Sequence, residues 1–143
     1  MSLKNKLAAS VAVVGLVLAL GSGRGCTLPI PLPVEPPPIP APGLNVLVVE
    51  ETADRGNLPL GKLNVLNSVK VREAVQAAGG NMLILDDDVD LAKLPEPWRV
   101  GMQLPRTELP WLVISTDDKN YQGPLPESVD AMLAKLGEFH VPQ

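Results

Sequence analysis

Two short apolar stretches of this 143-residue chain end in clusters of acids. Leu44–Val49 runs into Glu50, Glu51 and Asp54, and Asn81–Leu85 runs into Asp86, Asp87, Asp88 and Asp90. Carboxylates that converge from two such ends could hold a divalent cation through oxygen. A pair of them could also exchange protons with a bound substrate in an acid–base hydrolysis. The same residues could equally form a solvated acidic rim. The spacing Asp86, Asp88, Asp90 begins like an EF-hand loop, but its sixth position is Leu91 and its twelfth Pro97. An EF-hand needs Gly and Glu there, so that motif is rejected. Asp86, Asp88 and Asp90 remain weak metal candidates, and no cofactor is expected.

Other chemistries lack their residues. The chain has one Cys, Cys26, and one His, His140. No intramolecular disulfide, Cys-x-x-Cys pair or Cys/His zinc set can be built from them. Ser115 and Thr116 have no His base in any motif, so a serine nucleophile is unsupported. The glycines make neither a phosphate-binding loop nor a dinucleotide fingerprint. Arg55, Arg99 and Arg106 are the natural counter-charges, with Arg55 expected to pair with acids of the first loop or of the Asp86–Asp88 run. Trp98, in Pro95-Glu-Pro-Trp-Arg99, reads either as a lid over the core or as a binding anchor. Trp111 opens an apolar strand and reads as core.

These residues need elements to position them. Leu44–Glu51 is β-branched and apolar, the pattern of a buried strand. Thr52–Gly61 is a loop by its Gly and Pro content. A helix follows over about 63–78, with Asn67-Ser68 as a break or a second cap, and Gly79-Gly80 closes it. Asn81–Leu85 is a second strand, and strand–helix–strand implies a right-handed crossover with parallel pairing. Residues 87–106 read as irregular, with a short helix near 91–94. Trp111–Thr116 is a third strand, Tyr121-Gln122 begins a fourth, and a last helix starts with Pro126 in its first turn and carries Val129, Met132, Leu133 and Leu136 inward.

The resulting βαβ-ββα order is that of a single α/β domain over residues 43–143, and over about 44–137 it resembles the thioredoxin fold. Leu109-Pro110 followed directly by Trp111–Ser115 carries the resemblance. In that family a cis-proline precedes the third core strand, and a hairpin and final helix follow. The resemblance implies a cis Leu109–Pro110 bond and places Pro110 on the edge where Glu50, Glu51, Asp54, Arg55 and Asp86–Asp88 lie. It does not imply the family's redox activity. The first-strand loop here, residues 51–60, has no cysteine, and thiol–disulfide exchange needs a thiolate. What is expected is a binding or structural module whose protein partner meets that edge, with Trp98 as a further contact.

The N-terminal 42 residues concern delivery. Met1–Lys6 is basic, Leu7–Leu20 carries no charge, and Gly21–Gly25 is small-residue-rich around Arg24. This is the layout of a secretory signal or membrane anchor over residues 1–25. With Cys26 after Gly25 it resembles a bacterial lipoprotein signal, in which a Cys after a small residue is lipidated. Gly23 and Arg24 depart from that family's pattern. Residues 26–42 form a proline-rich linker, with 8 prolines among the 16 residues Thr27–Pro42. Polyproline II at about 3.1 Å per residue gives a spacer of roughly 50 Å. Such a stalk also resembles the outer-membrane spanin of phage lysis systems in composition, so an envelope or lysis role stands as an alternative, beside a metal-dependent hydrolase. From Gly43 onward 15 acids face 9 bases, a net charge of −6, which disfavours nucleic acid and anionic lipid as partners of the domain. Export is expected, with the chain tethered on the non-cytoplasmic side or released.

Overall fold

The computed structural model describes residues 35–139. The expected signal segment, Cys26, the linker up to residue 34 and His140 lie outside the described residues. Among those described, no helix is long and apolar enough to cross a membrane.

The architecture is α/β, built on a mixed four-stranded sheet. Its strands are β1 (Asn45–Glu50), β2 (Asn81–Asp86), β3 (Trp111–Ser115) and β4 (Asn120–Pro124). The helices are α1 (Leu60–Asn67), α2 (Val69–Ala77), α3 (Glu96–Met102) and α4 (Val129–Gly137). Strand order is β2-β1-β3-β4, with β1 parallel to β2 and β3 antiparallel to β1 and β4. The register sets Glu50 beside Asp86 and Val49 beside Trp111. The Leu109–Pro110 bond is cis.

All of β1 is buried, because the sheet is covered on both faces. Val46 and Val48 point to one core with Val65, Leu66, Val71, Val75, Met132 and Leu136 from α1, α2 and α4. Leu47 and Val49 point to the other, with Met102 of α3, Val113 and Ile39. A strand covered on both faces has no polar side to alternate with, hence its continuous apolar run.

Ser68 divides the first helical stretch. Its extended backbone ends α1, and its hydroxyl accepts the Val71 N–H at 3.2 Å to begin α2. One residue thus serves as the end of one helix and the N-cap of the next. The connector holds more helix than its sequence indicates. Pro95 precedes α3 and Pro97 sits in its first turn, where a missing N–H costs nothing. The last helix begins later than expected. Ser128, not the turn around Pro126, caps it by accepting the Ala131 N–H at 3.2 Å.

The proline-rich stretch does not run free as far as residue 42. Pro38 and Ile39 are buried, Ile39 completely. The Ser115 hydroxyl donates to the Ile39 carbonyl at 3.3 Å. The buried Asn45 amide donates to the carbonyls of Ala41, Pro42 and Gly43 at 3.0–3.2 Å. The folded unit therefore includes the last residues of the expected linker. Prolines leave their carbonyls free to accept, and the one large apolar side chain among them fills the second core.

Candidate functional site

The carboxyl ends of β1 and β2 lie side by side, as parallel pairing requires. Pro110, one position before the Val49–Trp111 pair in β3, comes to the same end of the sheet. The residues expected there are brought together, but most of the acids are already engaged.

Glu50 is 2 % exposed at the end of β1. A carboxylate so placed needs a partner. Arg55 supplies it from a 3₁₀ turn over Thr52–Asn57, donating through Nε to Oε2 at 2.8 Å and through Nη2 to Oε1. This two-point grip matches the planar fork of guanidinium to carboxylate. Glu51 starts the turn by accepting the Ala53 N–H at 3.2 Å. Asp54 stays exposed.

Asp86 accepts the Thr52 N–H at 3.0 Å and the Asp88 N–H at 3.4 Å. Hydrogen bonding from Thr52, first through its hydroxyl and then its N–H, holds the Asp86 carboxyl down to about 2. Asp88 moves the other way, raised by its hydrogen bond to Asp86 and by the charge on that neighbour. Asp87 is ion-paired with Arg106 at 2.6 Å. Asp90 accepts the Ala92 N–H at 3.1 Å and pairs with Lys93 at 3.4 Å; it shapes the Leu91–Lys93 turn. Among the described residues no three His, Cys, Asp or Glu side chains converge as a metal site would need. Glu50 and Asp87 are spent on Arg55 and Arg106, and Asp86 on the Thr52 and Asp88 amides.

What the edge does present is a groove. Asp54, Asp87, Leu104, Arg106, Thr107, Glu108 and Leu109 line an open space of about 530 Å³. It adjoins a pit of about 40 Å³ between Glu51, Asp54, Leu58, Leu109 and Pro110. Arg106 anchors one wall, since its guanidinium also donates to the Met102 carbonyl at 2.6 Å. The groove is thus polar along its length and apolar at the Leu58–Leu109–Pro110 end.

Trp98 does not join this group. It lies on α3 against the second core and lines a separate hollow with Ala41, Asn45 and Asn81, at the amino ends of β1 and β2. Arg99 donates to the Leu94 carbonyl at 3.2 Å, within the connector. Trp111 is partly buried in the second core, where its Nε1–H has no hydrogen-bond partner among the described residues. Thr52, Thr107 and Glu108 join this edge without belonging to any motif of the sequence. The one available signal for the last two was their position just before Leu109-Pro110. Thr52 gave none.

No family model, no curated protein and no solved structure matches this chain.

Proposed function

We propose that the domain is a thioredoxin-like module without thiol chemistry, which binds a polypeptide partner along the groove beside Pro110. One observation carries the reading: an open groove at the carboxyl ends of β1 and β2, lined by Asp54, Asp87, Arg106, Thr107, Glu108 and Leu109. Ligands of open α/β sheets gather at such strand ends. The strand order, with β3 antiparallel to the other three, supports the fold comparison. Asp54 and Glu108 are acidic groove residues with no ion pair among the described residues, so a segment with basic side chains flanking an apolar one suits the groove and its Pro110 end. In this reading Met1–Gly25 exports the chain, Cys26 carries the lipid that tethers it, and the proline-rich linker holds the domain off the membrane.

Site-specific photo-crosslinking in the producing cell tests the binding. A photoreactive residue at Thr107 is expected to capture a discrete polypeptide, and Asp54→Lys to diminish the adduct. The same residue at Gln122, on β4, is expected to capture none. Equal capture at both positions, or none at Thr107, would overturn the reading. The intact mass of the mature protein from membranes tests the tether: a diacylglycerol-sized increase on a chain starting at Cys26 is expected.

A further inference from the structure

The two edges of the sheet are built differently. β4, on one side, reads Asn-Tyr-Gln-Gly-Pro. Its polar residues, its glycine and its edge proline are the devices that stop a strand from pairing with another chain. β2, on the other side, reads Asn-Met-Leu-Ile-Leu-Asp, has neither glycine nor proline, and is polar only at its two ends. It contains no Lys, Pro or Gly, and its four central residues are apolar and only partly buried.

Among the described residues, no strand pairs with its outer side. The Asn81 N–H donates to Leu44 and the Asp87 N–H to Glu50, both in the direction of β1. Backbone groups alternate in direction along a strand, so those of Met82 and Ile84 point outward. Hollows flank this edge on both faces of the sheet. One of about 490 Å³ lies between β2 and Val69, Arg72, Glu73 and Gln76 of α2. Another of about 410 Å³ lies beside Asn81, Met82, Leu83 and Trp98. Val69, on the rim of the first, is 64 % exposed. An added strand would thus find partners for its backbone and room for its side chains above and below.

We infer that this edge pairs with the β2 edge of a second copy, antiparallel and centred on Leu83. The free backbone groups of Met82 and Ile84 fit that register, and the acids exclude two others. Parallel in-register pairing would set Asp86 and Asp87 against their own counterparts, and an antiparallel pairing centred on Asp86 would set Asp86 against its own counterpart. Like charges directly opposite are destabilising. Centred on Leu83, the pairing sets Leu83 against Leu83 of the second copy and Met82 against Ile84, and Asp86 falls opposite Gly80. The outward groups of Met82 and Ile84 then exchange hydrogen bonds. The groups at the ends of that frame are already satisfied, since the Gly80 N–H donates to Val75 and the Asp86 carbonyl accepts from Val89. Met82 and Ile84 belong to the first core and Leu83 to the second, so both cores continue across the axis. The product is an eight-stranded sheet with β4 at each end.

The test uses the full chain in neutral detergent. Sedimentation equilibrium is expected to report a concentration-dependent dimer. Residue-resolved hydrogen exchange is expected to report Met82 and Ile84 amides slowed at least tenfold in the dimer. Met82→Pro removes an outward-facing donor together with a side chain packed on the first core, and it is expected to raise the dimer dissociation constant by about tenfold or more, the loss of roughly one or two hydrogen bonds, with the far-UV spectrum retained. A monomer throughout would overturn the inference. So would a dimer whose Met82 and Ile84 amides exchange at the monomer rate, which would place the contact elsewhere in the chain, or protection found only when a different polypeptide is bound. If Met82→Pro does not fold, the exchange measurement on the unaltered chain decides alone.

Discussion

Arg55 grips Glu50 at two points across the mouth of the first loop, joining a carboxylate that is 3 % exposed in its side chain to a guanidinium that is 42 % exposed. The asymmetry sets the consequence of breaking the pair. Losing Arg55 leaves a charge in the sheet with nothing to balance it, whereas losing Glu50 leaves a guanidinium that water can reach. Removing one partner of a hydrogen-bonded buried charge costs more than removing both. Arg55→Ala is therefore expected to destabilise by about 2 kcal/mol, discounted for the exposure of the arginine. Glu50→Gln in the same background is expected to recover part of that loss. Urea denaturation of the three variants checks it, and a double variant less stable than Arg55→Ala would count against the pairing.

Asp86 and Asp88 are expected to titrate far apart although they are two residues apart. The carboxyl held at about 2 by Thr52 belongs to Asp86, and the raised one to Asp88. A depressed folded-state value stabilises the fold above the ordinary aspartate value near 3.9 and loses that contribution as pH falls toward about 2. Asp88 acts in the opposite sense: its protonation favours the folded chain as pH falls through its raised value. Carboxyl carbon shifts in an NMR titration should therefore move for Asp88 first and for Asp86 last. Thr52→Val should raise Asp86, and Asp86→Asn should return Asp88 to the ordinary range. Two carboxyls titrating together near the ordinary value would refute the assignment.

The sequence carried the sheet well and the groove poorly. β1 and β3 were legible because burial on both faces demands a short, largely β-branched apolar run, such as Val46–Val49, and β2 because Met82–Leu85 is a short apolar run bounded by Gly80 and Asp86. Asn67-Ser68 was legible as an interruption for a local reason, a hydroxyl able to cap. Helix α3 was hidden because Pro95 and Pro97 read as breakers, although both sit where a helix tolerates proline. The acids were visible as a set, but their partners were not. That Arg55 turns back to Glu50, and Arg106 to Asp87, depends on loop paths fixed by distant packing. The groove inherits the same difficulty, since Asp54 and Glu108 meet only through the fold.

Gly61 is expected to resist substitution although it lies inside a helix, where alanine ordinarily gains about 1 kcal/mol over glycine. A methyl group at this position would run into the backbone carbonyl of Glu127, which cannot swing aside as a side chain would. The Lys62–Glu127 ion pair at 3.1 Å fixes the same contact between the start of α1 and the loop before α4. Gly61→Ala should lower stability by roughly 1–3 kcal/mol, the scale of overpacking. Gly56, in the preceding turn, has open space around it, and Gly56→Ala should change little. Thermal melts of the two variants provide the comparison, and equal midpoints would mean that the α1–α4 contact is looser than described.

Ile39 is expected to be worth as much to the fold as a residue of the sheet, despite standing in the proline-rich run. It is fully buried against Leu47, Val49, Met102 and Val113, and with Leu47 it packs closely over Gly101, where a Cβ would meet its Cγ1 at 3.2 Å. Truncating a buried isoleucine removes transfer energy and leaves a cavity, at a cost of about 2–5 kcal/mol. Ile39→Ala should fall in that range, whereas Pro40→Ala, at an exposed neighbour, should fall within about 0.5 kcal/mol of the parent. Asn45→Ala should also destabilise, since its amide satisfies the carbonyls of Ala41, Pro42 and Gly43 that follow the plug. A chain beginning at Gly43 should behave like Ile39→Ala or worse. If it melts with the parent, the docking of residues 38–42 contributes nothing to stability and the folded unit begins at β1.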